Sequence, residues 1–150
     1  MKQPVSIGSF ASIEQAASAI AADVPVRATT LAKEAAGTGA TKCGIRWEAV
    51  IPETEPLAWL NHHDNLVRMY CSNRERLLRI AAIGVADMLR FKDGDVGPRQ
   101  ALDYVFACLK ELPSGTRYYG GMRFHDDVSS DDPTWRRFGR VRFALPSIEV

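Results

Sequence analysis

The chain has three histidines; two of them open the cluster His62-His63-Asp64, and the third begins His125-Asp126-Asp127, close to Asp131-Asp132. Imidazole beside carboxylate can hold a metal or relay a proton, so both clusters are candidates for that chemistry. Adjacent residues do not share a face of a helix or strand, so His62-His63-Asp64 makes a poor chelate and reads as a solvated turn. The Asp-rich stretch offers hard oxygen ligands but lacks the spacing and the turn glycine of a calcium loop, and reads as a hydrated loop.

Gly120-Gly121 suggests a phosphate cradle at first sight. The pair follows Tyr118-Tyr119 and precedes a strand pattern, so no helix N-terminus stands behind it to favour an anion. Close backbone approach or a bulge inside the sheet is the expected role. Arg117, Arg123, Arg136, Arg137, Arg140 and Arg142, interleaved with Tyr118, Phe138 and Phe143, have the look of a single-stranded nucleic-acid surface. Four Asp and Glu149 in the same stretch leave it a net charge of only +1, so no nucleic-acid partner is expected. Cys43, Cys71 and Cys108 lie too far apart for paired metal ligands and are too few for a disulfide framework. They read as buried thiols of a cytoplasmic protein. No Ser-His-Asp order, nucleophile elbow or Walker sequence occurs. No catalytic, substrate-binding or metal-ligating residue is assigned.

Length and composition suit one soluble domain: 150 residues, 46% hydrophobic and 25% charged, enough chain to bury roughly 70% of its unfolded surface. The net charge of +1 carries no global signal for nucleic acid or an acidic membrane. No apolar run approaches the ~20 residues of a bilayer span, so no membrane association is expected. The N-terminus lacks the apolar core of a secretory signal.

Residues 1–41 are weakly patterned. Ser12 can cap a helix carrying Glu14 in its first turn and Ile13, Ala16, Ala17 and Ile20 on one face. The following stretch thins in large side chains, and the segment is expected to be partly disordered. From Cys43 the texture changes. Ile45, Trp47, Ala49 and Ile51 alternate with Gly44, Arg46, Glu48 and Val50, which predicts a half-buried strand. Residues 56–64 predict a short helical turn that docks Leu57, Trp59 and Leu60, and residues 65–74 a strand ending at Ser72-Asn73. The run Ile80–Ala86 fits a helix face or a buried strand equally well, and Gly84 weakens both. Pro98 opens the clearest helix, with Leu102, Val105, Phe106 and Leu109 as its apolar stripe and Pro113 and Gly115 at its end. Residues 117–124 and 140–146 predict strands. Strands outnumber helices and their joints are short, so the fold class is α+β with a largely antiparallel sheet and flanking helices.

Three stretches carry a family resemblance. They are Pro56-Leu57-Ala58-Trp59-Leu60 with Met69-Tyr70 and Arg74; Ile80-Ala81-Ala82-Ile83-Gly84-Val85-Ala86; and Tyr119 to Pro146, with Gly120-Gly121-x-x-Phe124, Trp135-x-x-Phe138 and Phe143-x-Leu145-Pro146. In order and spacing they resemble the chorismate-utilising enzymes, most of all the isochorismate synthases. The chain differs from related sequences in carrying Cys71-Ser72-Asn73 where an aromatic often precedes the Arg-containing turn. The resemblance favours a strand for Ile80–Ala86. It implies one half of the chorismate-binding sandwich, with residues 42–150 as an N-terminal part that ends before the catalytic half. In that family a lysine base, a glutamate acid and Mg²⁺-binding glutamates act on chorismate from the C-terminal half. None of them maps onto a position here, so this chain alone is expected to bind no Mg²⁺ and to be inactive. The sister enzymes, namely anthranilate, aminodeoxychorismate and salicylate synthases, are nearby alternatives. A non-catalytic α+β binding or regulatory domain is the alternative of another class.

Overall fold

The computed structural model describes residues 3–38, 44–64, 67–92, 94–123 and 138–150. The fold is α+β, with antiparallel sheets and flanking helices, and the chain divides into two compact units. One comprises Met1–Thr54 with Ala107–Thr116, the other Glu55–Phe106 with Arg117–Val150.

In the first unit, β1 (Val5–Ser9) and β2 (Trp47–Val50) pair in parallel, with Val5 opposite Trp47. Parallel neighbours need a crossover, and α1 (Ile13–Thr38) supplies it. Strand and helix therefore occupy residues 5–9 and 13–38 of a segment whose weak patterning predicts a helix after Ser12 and partial disorder. The start is as its residue types predict. Ser12 Oγ accepts from Gln15 N–H at 3.3 Å, and Gln15 Oε1 accepts from Ala11 N–H at 3.1 Å. This reciprocal arrangement is close to a capping box. The hydrogen bond from Ser12 also holds the Glu14 carboxyl below its ordinary range. Ala-rich composition has high helix propensity, which carries α1 past Pro25. In β2 the expected alternation holds: Trp47 and Ala49 are half-buried, Glu48 and Val50 exposed.

The second unit begins with α2 (Pro56–Asn61). Glu55 caps it, its carboxylate accepting from Ala58 N–H at 2.7 Å, and Pro56 occupies the first turn, where its missing N–H costs nothing. Trp59 and Leu60 are buried as expected, but Leu57 is 47% exposed. Residues two apart on a helix cannot face the same surface, and Pro56 takes the buried position instead.

Two antiparallel sheets follow. β3 (Arg68–Ser72), β4 (Arg79–Ile83) and β8 (Ile148–Glu149) form the first, in the order β3-β4-β8. β5 (Asp87–Phe91), β7 (Val141–Leu145) and β6 (Tyr119–Met122) form the second, in the order β5-β7-β6. The ambiguous run Ile80–Ala86 is strand through Ile83 and ends there. Gly84 adopts φ +71°, and a Cβ there would stand 2.8 Å from Ser147 Oγ. The chain turns at this glycine from one sheet into the next, with Gly84 N–H donating to Val67 O at 2.8 Å. β4 is the buried centre of its sheet: Ile80, Ala81, Ala82 and Ile83 are at most 6% exposed.

Helix α3 spans Pro98–Glu111 and opens at proline as predicted, but its buried stripe is offset from the expected one. Ala101, Val105 and Cys108 are buried, with Leu112 just beyond the helix; Leu102 and Leu109 are half-buried, and Phe106 is 59% exposed. Small Ala and Cys side chains allow close packing that a scan for large residues overlooks. Cys71 departs from its expected burial because β3 is an edge strand exposed everywhere except Met69, and Cys43 lies outside the described residues.

Candidate functional site

The second unit brings its two neighbouring tyrosines onto two carboxylates. Tyr118 and Tyr119 precede and begin β6, so the period-two alternation of extended chain sends their rings to opposite sides. Tyr118 Oη donates to Asp87 Oδ2 at the start of β5. Tyr119 Oη donates to Glu149 Oε2 at 2.6 Å, while Arg117 donates to Glu149 Oε1 at 2.6 Å. Both oxygens of Glu149 are thus engaged, and β8 is tied by side chains to the strand that carries Tyr119.

Burial, followed by the adjacent Glu149 carboxylate, pushes the Tyr119 phenol up to about 12. A phenol that titrates there remains protonated at neutral pH, so it can donate a hydrogen bond but cannot act as a general base. Because its folded value lies above the unfolded value of 10.0, the associated stability is fully present below pH 10 and is lost between about pH 10 and 12. Tyr119→Phe should remove that segment of the profile. The check is urea unfolding of both proteins across pH 8–12, where the difference between them should narrow in the alkaline range.

The first unit holds a shallow open groove of about 420 Å³ beside α1, lined by Val5, Val26, Leu31 and Ile45 with Asp23 and Arg27 at its polar side. Trp47 Nε1 donates to Asp23 Oδ2 at 2.7 Å, and Arg27 Nε donates to the same oxygen. The indole hydrogen bond is the main reason the Asp23 carboxyl sits below its ordinary range. This ion pair is solvent-exposed and orients Arg27 along the helix, but stabilises little.

The side chains singled out in the sequence are placed as follows. His62 is the C-cap of α2 and exposed, and the His63 ring is tilted against Trp59 at 4.8 Å between centroids. Asp64 lies 3.9 Å from Arg68. These three do not converge. Among the described residues no three of His, Cys, Asp and Glu come together. His125, Asp126, Asp127, Asp131 and Asp132 lie outside the described residues, as do Phe124, Trp135, Arg136 and Arg137. Arg117 is committed to Glu149, and Arg142 Nε lies 3.5 Å from Met88 Sδ. These two arginines are tied down locally.

Gly120 answers the question raised by its type. It stands opposite Phe143 in the β6–β7 ladder, and a Cβ would run into the carbonyl of Arg142 and come within 2.7 Å of Phe143 Cα. Gly121 faces open space. Only the first glycine is demanded by close approach. The Tyr119–Glu149 pairing was missed in the sequence, since no local spacing links residues on strands of different sheets.

No protein-family model matches the sequence, and no curated protein matches it significantly. No helix among the described residues is long and apolar enough to cross a membrane.

Proposed function

We propose that residues 42–150 are the N-terminal part of a cytoplasmic chorismate-utilising enzyme of the isochorismate-synthase kind. Conversion of chorismate to isochorismate would be carried by Mg²⁺-dependent groups of a C-terminal half, and this part would supply scaffold. The observation that carries the reading is the order and spacing of its three motif stretches. Its support from the fold is the role of their glycines. Gly84 and Gly120 each stand where a Cβ would strike a neighbour, at Ser147 and at Arg142-Phe143. Motif glycines with such a demand behave as marks of a backbone arrangement, which is what a scaffold segment would keep.

The 150-residue chain, incubated with chorismate and Mg²⁺, should form no isochorismate above a buffer blank. Turnover that survives rigorous removal of host enzymes would overturn the assignment of the chemistry to another half. The coding sequence beyond Val150 tests the family reading separately. An open frame that continues into a lysine- and glutamate-bearing half supports it. A stop codon there favours a non-catalytic binding domain. Anthranilate, aminodeoxychorismate or salicylate formation by such a longer protein would move the assignment to a sister enzyme.

A further inference from the structure

The net charge of +1 conceals a local concentration. Residues 67–79 hold four arginines against one glutamate. Two of the arginines have acidic neighbours: Arg68 lies 3.9 Å from Asp64 and Arg79 3.4 Å from Glu55. Arg74 and Arg76, in the turn between β3 and β4, are exposed and make no ion pair among the described residues. The same turn exposes two aliphatic side chains, Leu77 at 82% and Leu78 at 50%.

The turn is held in shape by its own hydrogen bonds. Asn73 N–H donates to Leu78 O at 3.1 Å, Leu78 N–H donates to Asn73 Oδ1 at 3.1 Å, and Arg76 N–H donates to Asn73 O at 3.0 Å. Arg76 accepts a left-handed φ of +57° to close it, which costs a non-glycine residue free energy. Hydrogen bonds and a strained backbone thus hold a turn in which exposed leucines stand beside arginines that make no ion pair among the described residues.

From this we infer that the β3–β4 turn docks on the surface of an anionic lipid bilayer. Leu77 and Leu78 enter the headgroup boundary, and Arg74 and Arg76 meet the lipid charge. Interfacial attachment combines buried aliphatic area with attraction to anionic headgroups, and this turn exposes leucines and arginines together. A nucleic-acid surface would call for aromatic stacking instead, and the turn from Asn73 to Leu78 contains no aromatic residue. The absence of a spanning helix does not bear on this mode, in which the protein lies on the bilayer and does not cross it.

The test is co-sedimentation of the 150-residue chain with vesicles of phosphatidylcholine alone or of phosphatidylcholine with phosphatidylserine. Binding is expected to the phosphatidylserine vesicles only, and to fall away in high salt, where charges are screened within a few ångströms. Arg74→Ser with Arg76→Asn, the asparagine chosen because it tolerates positive φ, should weaken partition roughly thirty-fold. Leu77→Ser with Leu78→Ser should weaken it by a comparable factor while leaving the salt dependence in place. Circular dichroism verifies the fold; if the leucine pair disturbs it, the arginine pair decides. No binding to phosphatidylserine vesicles at low salt, equal binding to neutral vesicles, or binding unchanged by the arginine pair would each overturn the inference. Preferential binding to a single-stranded oligonucleotide, lost with the same arginine pair, would also overturn it.

Discussion

Gly120→Ala should destabilise the second unit by about 3 kcal/mol or more, at or beyond the upper end of ordinary overpacking, whereas Gly121→Ala should change stability by less than about 1 kcal/mol. The two residues are adjacent, chemically identical and on the same strand, so the contrast isolates one cause. At Gly120 the added methyl meets backbone, the Arg142 carbonyl and Phe143 Cα, and backbone in the middle of a ladder cannot rotate aside as a flexible side chain can. Relief would require β6 and β7 to separate, breaking the pairing from Tyr119↔Ala144 to Met122↔Val141. At Gly121 the methyl points into open space, and an alanine there also lowers the entropy of the unfolded chain. Urea unfolding read by circular dichroism measures both variants. Equal stability of the two would mean that the close approach at Gly120 is not what holds the glycine there.

Trp59→Ala should cost about 3–5 kcal/mol, the range for truncating a buried aromatic side chain. Trp59 is only 8% exposed on α2, which packs against β4, and its ring also carries His63. A domain of this size has roughly 5–15 kcal/mol of total stability, so the variant should sit near the edge of folding. Leu57→Ala on the same helix provides the control. At 47% exposure it should remain within about 0.5 kcal/mol of the parent, as surface changes usually do. The urea midpoint should fall sharply for Trp59→Ala with the slope retained. If instead Leu57→Ala proved the costlier change, α2 would have to bury its other face.

Much of the local structure was legible because its signals are short in range. The alternation through Trp47 and Ala49 marked β2, Ser12 marked the start of α1, and Pro98 marked that of α3. Each depends on a few neighbouring residues and on the period of the element they build. Where the reading shifted, a competing local pattern was equally good. Val105 belongs both to the expected stripe with Phe106 and to the observed one with Ala101 and Cys108. Hydrophobicity favoured the larger ring, and packing favoured the smaller side chains. Cys71 was misplaced for a related reason, since its type suggests burial while its strand lies at a sheet edge.

The sequence by itself determined the α+β class, most element positions and the expectation that Gly120-Gly121 served close backbone approach or a bulge. Only the tertiary structure decided which of those two glycines is required, because the obstructing atoms belong to Arg142 and Phe143 on another strand. It also decided that the run Ile80–Ala86 breaks at Gly84, that β1 and β2 run parallel, and that Glu149 returns beside β4 to receive Tyr119 and Arg117. These are facts of pairing between distant segments. Periodicity specifies which face of an element is apolar, but the partner that covers that face is selected by the free energy of the whole arrangement.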